Sequence, residues 1–447
     1  MKPRKISPQG KTPKACGQTR GGRAVLPLLP FCFRFPPAPP KFIITLCGAI
    51  SLLFFSCKPD IPMVNLGIDE LYVVERMKKI ILHPEFPGLY EWSMKDAGGN
   101  DSVVSTLRDY IFVAADTGQY ALKLRITDKD NPVEHNVAIV VWEEAVAYSR
   151  YITQVYEYCP APGQFVNTMP QYEEGDTDET MRIKARESLS GKNDVMVSLG
   201  GFGGYVTFGF DHTVVNMPGK YDFKIHGNAF YAAANPNPDA PREGGSCEPG
   251  IVMVSLDSNG NGIPDDEWYE LAGSEYHRSG TRKNYRLTYF KPDPGKVPTP
   301  IGKSPITDTT YIRWEDNTGA QGYMHKNTYH RQDYFPAWKS AGQLTFEGTL
   351  LPNNAVDESG NGSYYVQYAY TWGYVDNHPN EYGDKVSFDI GWAVDADGNN
   401  VNLPGVDFVR VYTGVNQQCG WLGETSTELS RAEDLHITEP TSTLPNP

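Results

Sequence analysis

Apolar and polar residues alternate along most of this chain with a period of two. The runs ELYVVER, LYEWSM, YIFVAA, YALKLRITD and NVAIVVWEE, within residues 70 to 144, have the length of strands. DAGGND, DTGQ and DKDNPVE separate them, supplying the Asp and Gly that tight turns need. After residue 193 the pattern returns in VMVSLGGFGGYVTFGFD, YDFKIHGNAFY, GIVMVSLD, EWYELAGS, YYVQYAYTWGYV, VSFDIGWAVDADG and VDFVRVYTGV. Alternation on this scale predicts an all-β protein in more than one domain.

Helical periodicity is scarce. EEGDTDETMRIKARESLSG predicts one helix, capped by Thr177 or Asp178, and a shorter helix is expected over 143–156. Gly200, Gly201, Gly203 and Gly204 in LGGFGGY lack the Lys-Ser/Thr of a phosphate loop and lead into a strand, so they predict a bulge or a close backbone contact. The division expected is a non-globular extension with signal (1–57), a first β-sandwich (60–144), a linker with short helices (145–192), a larger β-sandwich (193–436) and a disordered tail (437–447).

Charge narrows the choice of partner. Nine basic and no acidic residues precede Cys57, so the chain from Cys57 onward carries −23, nine units below the −14 of the whole. A surface this acidic excludes nucleic-acid binding, which needs basic groups to displace counterions.

Lys41 is followed by FIITLCGAISLLFFSC, an apolar run ending in Ser56 and Cys57. It resembles a bacterial lipoprotein signal, which implies lipidation at Cys57 and attachment to a bilayer. Residues 1–40 are broken by prolines, and translation is expected to start near Phe35 to Lys41. Three cysteines follow the anchor, Cys159, Cys247 and Cys419, so at most one disulfide can form.

Asp257-Ser258-Asn259-Gly260-Asn261-Gly262-Ile263-Pro264-Asp265 spaces oxygen ligands as a calcium loop does. Asp257, Asn259 and Asn261 occupy alternate positions, Gly262 allows the turn, Ile263 offers its carbonyl, and Asp265 falls at position nine. Position twelve is Trp268 rather than the closing Glu. A structural calcium between two strands is expected; Asp395-Ala396-Asp397-Gly398-Asn399 reads as a turn.

Aromatic residues and histidines crowd residues 311–382. Trp314, Tyr323, His330, Trp338, Trp372, Tyr374 and His378 are the candidate ligand-binding residues, as platforms with polar handles for a planar or amphipathic ligand. No G-x-S-x-G or H-E-x-x-H occurs, and the expectation is a binding protein rather than an enzyme.

Several resemblances sharpen this picture. Trp92 and DTGQYALKLRITD resemble PKD-like modules, small immunoglobulin-like sandwiches. The strand order from GFD to VDFVRVYTGV resembles a jelly-roll sandwich of the galactose-binding or discoidin type, carrying long insertions. CPAPGQFVNTMPQYEEGDTDE, VSLGGFGGYVTFGFDHTV, EPGIVMVSLDSNGNGIPDDEWYELAGSEY, YTWGYVDNHPN and VYTGVNQQCGWLGETSTE together resemble a family of Bacteroidota cell-surface lipoproteins with a PKD-like domain before a β-rich body. That family is similar to accessory lipoproteins of TonB-dependent uptake loci. The resemblance implies an outer-membrane, surface-exposed nutrient-capture protein, with a corrinoid (cobalamin) as favoured ligand and a TonB-dependent transporter as partner. In that case His330 or His378 would approach cobalt. The alternatives are a glycan-binding surface lipoprotein and an adhesion protein whose modules are only architecture.

Overall fold

The structure, a computed structural model, describes residues 65–95, 98–128 and 131–438. Cys57, its signal and residues 439–447 of the expected tail lie outside the described residues. No helix among the described residues is long and apolar enough to cross a membrane.

The fold is nearly all β. In the first sandwich, Leu71–Glu75, Asn131–Trp142, Gly118–Asp128, Leu89–Lys95 and Asp101–Ser105 form a five-stranded sheet in that order. Ile80–Leu82 pairs with Tyr110–Phe112 opposite. Period-two patterning places Leu122, Leu124 and Ile126 on one face, all buried. They surround Trp92, which is 0% exposed, stacks on Tyr110 at 5.3 Å and donates its indole N–H to Leu107 O. That bond satisfies the one polar atom the burial would otherwise strand.

A six-stranded sheet organises the rest: Ala393–Val394, Trp268–Leu271, Gly250–Ser255, Phe408–Thr413, Tyr205–Gly209 and Gln154–Cys159. One face packs Val155, Phe208, Val252 and Val409 against Phe223, Phe388 and Ala432 from smaller sheets. The other face presents Tyr205, Ile251 and Tyr412, while Phe202 leads on to Leu287, Tyr289 and Phe346 of a four-stranded sheet from residues 282–350. Gly250–Ser255 is covered on both faces, which is why it reads as an almost continuous apolar run.

Two expectations change here. No helix forms over 143–156; Gln154–Cys159 is an edge strand of the six-stranded sheet, because Val155 and Tyr158 have apolar partners only in that extended form. Residues 145–192 are therefore built into the body rather than acting as a linker. The second helix is present as Asp178–Leu189, with Thr177 at its cap: Thr177 Oγ1 accepts from Thr180 N, and Thr180 Oγ1 accepts from Thr177 N at 2.6 Å. The glycine run is a close backbone contact, since a Cβ on Gly200 would lie 2.0 Å from Ala161 O.

Candidate functional site

A cavity of about 420 Å³ opens where four segments converge. Phe230–Tyr231, Gly244–Ser246 and Tyr365–Tyr368 belong to one small sheet and supply Phe230, Ser246, Tyr365 and Gln367. The loop after Gln154–Cys159 brings Gln164 and Phe165, and the loop after Gln321–Asn327 brings His330. The fourth segment, residues 419–428, contributes Cys419, Trp421, Leu422, Glu424, Ser426 and Glu428.

The last segment shows how local sequence builds the wall. Glu424-Thr425-Ser426-Thr427-Glu428 runs extended, so every second side chain faces the same way. Glu424, Ser426 and Glu428 line the cavity, while Thr427 Oγ1 bonds Glu248 O and Thr425 Oγ1 accepts from Gln367 and Gln417. Gly420 has φ +53°, and a Cβ there would lie 2.0 Å from the Tyr365 ring, so glycine lets the turn close against that ring.

The floor is carboxylate. Glu248 and Glu428 line it, and Asp376, buried and off the lining, brings an oxygen within 4.8 Å of theirs. Glu428 Oε1 accepts from Ser198 Oγ at 2.8 Å and Ser426 Oγ at 2.7 Å. Asp376 accepts from Asn228 N at 2.7 Å and Glu428 N at 3.0 Å. Burial pushes the Glu248 carboxyl up to about 7 and Glu424 up to about 8. Burial and then the neighbouring carboxylates hold Asp376 and Glu428 well above the ordinary range. Near neutral pH this floor can both donate and accept hydrogen bonds.

Around the rim the surfaces are aromatic. His330 sits edge-on to Phe165 at 4.6 Å, and Trp421 leans on Tyr329 at 5.6 Å. Tyr364 and Tyr365 follow a second Asx loop, Asp357-Glu358-Ser359-Gly360-Asn361-Gly362, in which Gly362 N donates to Asp357 Oδ2 at 2.7 Å. It repeats the arrangement of the loop at Asp257, where Gly262 N donates to Asp257 Oδ2 at 3.1 Å.

The residues expected to bind ligand do not form one surface, and only His330 reaches this cavity. Trp314 and Tyr323 line a separate hollow of about 80 Å³. Trp338 lies against the main core between Tyr158 and Tyr172, and Trp372 packs on Trp392 at 4.7 Å. Tyr374 is buried, its hydroxyl accepting from Glu275 N. His378 is fully buried, with Nδ1 2.6 Å from Tyr231 Oη and Nε2 3.2 Å from Thr371 O. Aromatic density on the sequence therefore marked several packing sites. Glu248, Glu424 and Glu428 were not singled out, and the alternating ETSTE was the available signal.

The loop expected to hold calcium joins Gly250–Ser255 to Trp268–Leu271, a paired hairpin. Asp257 accepts from the N–H groups of Asn261 and Gly262, Asn261 Oδ1 accepts from Ile263 N, and the Asn259 and Asn261 amides donate to Asp265. Its side-chain oxygens and the Ile263 carbonyl are the donor set a hard cation needs, although Lys79 Nζ already stands 3.3 Å from Asp257 Oδ2. Asp395 closes its own turn by accepting from Asp397 N and Asn399 N. Among the described residues Cys159, Cys247 and Cys419 are all free.

Neither a family model nor a curated protein matches this chain. Among solved structures, a quinonprotein alcohol dehydrogenase-like protein from Bacteroides thetaiotaomicron is 18% identical over 20% of this chain, with a TM-score of 0.14; the match spans 21% of that protein. The SusE-like protein BT2857 is 10% identical over 80% of this chain and 94% of its own, with a TM-score of 0.23. A carbohydrate-binding module of the β-sandwich superfamily is 10% identical over 80% of this chain and 92% of its own, with a TM-score of 0.13. Superpositions this loose transfer no function.

Proposed function

We propose that this protein is a glycan-binding lipoprotein of the cell surface, anchored through Cys57, with the cavity beside Trp421 as its sugar site. The cavity carries the reading. It combines aromatic rings, which suit the C–H faces of a pyranose, with convergent Gln, Ser and Glu groups, which suit its hydroxyls. Its volume of about 420 Å³ lies within the range of small-ligand pockets and matches one or two sugar rings better than a corrin macrocycle.

Corrinoid capture finds no support in this geometry. Both His378 nitrogens have hydrogen-bond partners, and its ring is fully buried. His330 stands at the cavity but edge-on to Phe165. Calcium in the Asp257 loop would be structural in this reading, and a TonB-dependent transporter remains the expected partner, testable by copurification from outer membranes.

The test is a glycan array followed by calorimetry on each hit, with cyanocobalamin in parallel. Binding of a glycan that Trp421→Ala weakens supports the proposal. A silent array, or glycan affinity indifferent to Trp421→Ala, overturns it.

A further inference from the structure

The carboxylates at the cavity floor lack a counter-charge. Among the described residues, Glu248, Asp376 and Glu428 form no ion pair with lysine, arginine or histidine, and all their recorded partners are neutral donors. Asp376 is 1% and Glu428 2% exposed. Ionised carboxylates so placed are costly unless they are paired or coordinate a metal.

A second observation points to what completes the group. Glu424 lines the same cavity and is 7% exposed. Its Oε1 accepts from Gln164 N at 2.6 Å, whereas its buried Oε2 has no partner at all. Once ionised, these carboxylates offer acceptors only, and the species that completes an ionised floor is one that oxygen lone pairs attract.

We propose that Glu248, Asp376 and Glu428 bind a calcium ion at the cavity floor, separate from the Asp257 loop. Their oxygens lie within 4.8 Å of one another, close enough for one cation bound at about 2.3–2.6 Å to reach all three. Calcium accepts an irregular oxygen set, whereas magnesium demands near-ideal octahedral geometry and dehydrates reluctantly. An all-oxygen set selects a hard cation over zinc or copper. Calcium takes about 6–8 ligands, so three carboxylates leave positions open. Glu248 and Glu428 line the cavity, so water or paired sugar hydroxyls would fill those positions from that side. The ion would also draw water, or a ligand hydroxyl, within reach of Glu424 Oε2. The inference stands without the glycan reading, because cation binding is measured with no sugar present.

The experiment is equilibrium dialysis of the EGTA-stripped full chain against radioactive calcium at up to about 1 mM, the weak end for extracellular sites. An Asn259→Ala/Asp265→Ala variant removes two side-chain ligands of the loop and with them its closed oxygen set. It should still bind one calcium, and adding Glu428→Gln should remove it. Glu248→Gln, at the half-buried member, should do the same and serves if Glu428→Gln does not fold. A loop variant that binds no calcium, or one whose bound calcium survives both glutamine changes, overturns the proposal. So does a Glu428→Gln chain that melts higher than its parent in saturating calcium, because that is the signature of an anionic cluster with no bound cation, relieved of repulsion.

Discussion

Lys79 of the first sandwich meets Asp407 of the body, Nζ to Oδ2, at 2.8 Å. The same ammonium lies 3.3 Å from Asp257 Oδ2 and donates to the Asp257 carbonyl. Asp407 Oδ2 also accepts from Asp257 N, and its Oδ1 from Thr213 Oγ1. One lysine therefore ties the first sandwich to the Asx loop and to the six-stranded sheet. Lys79→Ala leaves Asp407 and Asp257 with no other ion pair among the described residues, in a partly enclosed site, and is expected to cost about 1–3 kcal/mol. Urea denaturation measures the loss, and faster proteolysis between residues 143 and 153 should accompany it. An unchanged midpoint would show that the contact is solvated and contributes nothing.

Stability should fall as pH rises. Burial lifts Glu424 from its ordinary value of 4.5 to about 8, so the folded state holds this proton where the unfolded chain has released it. A group raised in the folded state contributes fully below its unfolded value, and that contribution declines up to the folded one. In EGTA, the melting temperature is expected to drop by several degrees between pH 5 and pH 8.5. Glu424→Gln should flatten the slope, though only in part, since Glu248 and Glu428 share the cavity. Parallel profiles for wild type and variant would show that Glu424 does not titrate in this window.

Two tryptophans should behave oppositely. Trp421→Ala removes a rim ring and should weaken glycan binding about 3–10-fold with little change in melting. Trp338 packs on the main core between two tyrosines, so Trp338→Ala should cost about 2–4 kcal/mol and leave the affinity of the folded fraction unchanged. Calorimetry and thermal melts on both variants separate the roles. A loss of affinity in Trp338→Ala alone would move the binding surface away from this cavity.

Gly420 links turn and cavity. Its φ of +53° and the 2.0 Å approach of a Cβ to the Tyr365 ring mean that alanine must both strain the backbone and push the ring aside. Gly420→Ala is expected to lower stability by about 1–3 kcal/mol and to weaken sugar binding. Gly99, also at positive φ but with open space around it, is the control: its alanine variant bears the backbone strain without a displaced ring. Equal loss of binding in both would exclude a specific role for the Gly420 turn.

The reading from sequence succeeded where the physics is local. Period-two alternation identified the strands of the first sandwich because each needs only one apolar face, and Trp92 was legible as core from its setting. Thr177 announced its helix because a cap is satisfied within three residues. The Asp257 loop was visible because an Asx turn is built from consecutive residues. Residues 143–156 were misread as helical, since the sheet neighbours of Gln154–Cys159, Tyr205–Gly209, come some fifty residues later.

Only the tertiary structure could decide the site. Glu248, Asp376 and Glu428 are spread over 180 residues, and each alone is an unremarkable acid in an acidic chain. What sets them apart is burial together without a cation, a property of packing that no spacing encodes. The aromatic cluster fails for the same reason reversed: Trp338, Tyr374 and His378 are close in sequence, but strand pairing turns them into different interiors. Local hydrogen bonding and periodicity thus determined which elements form. Their long-range pairing determined which carboxylates and rings share a cavity, because side-chain convergence depends on the sheet partners and not on chain neighbours.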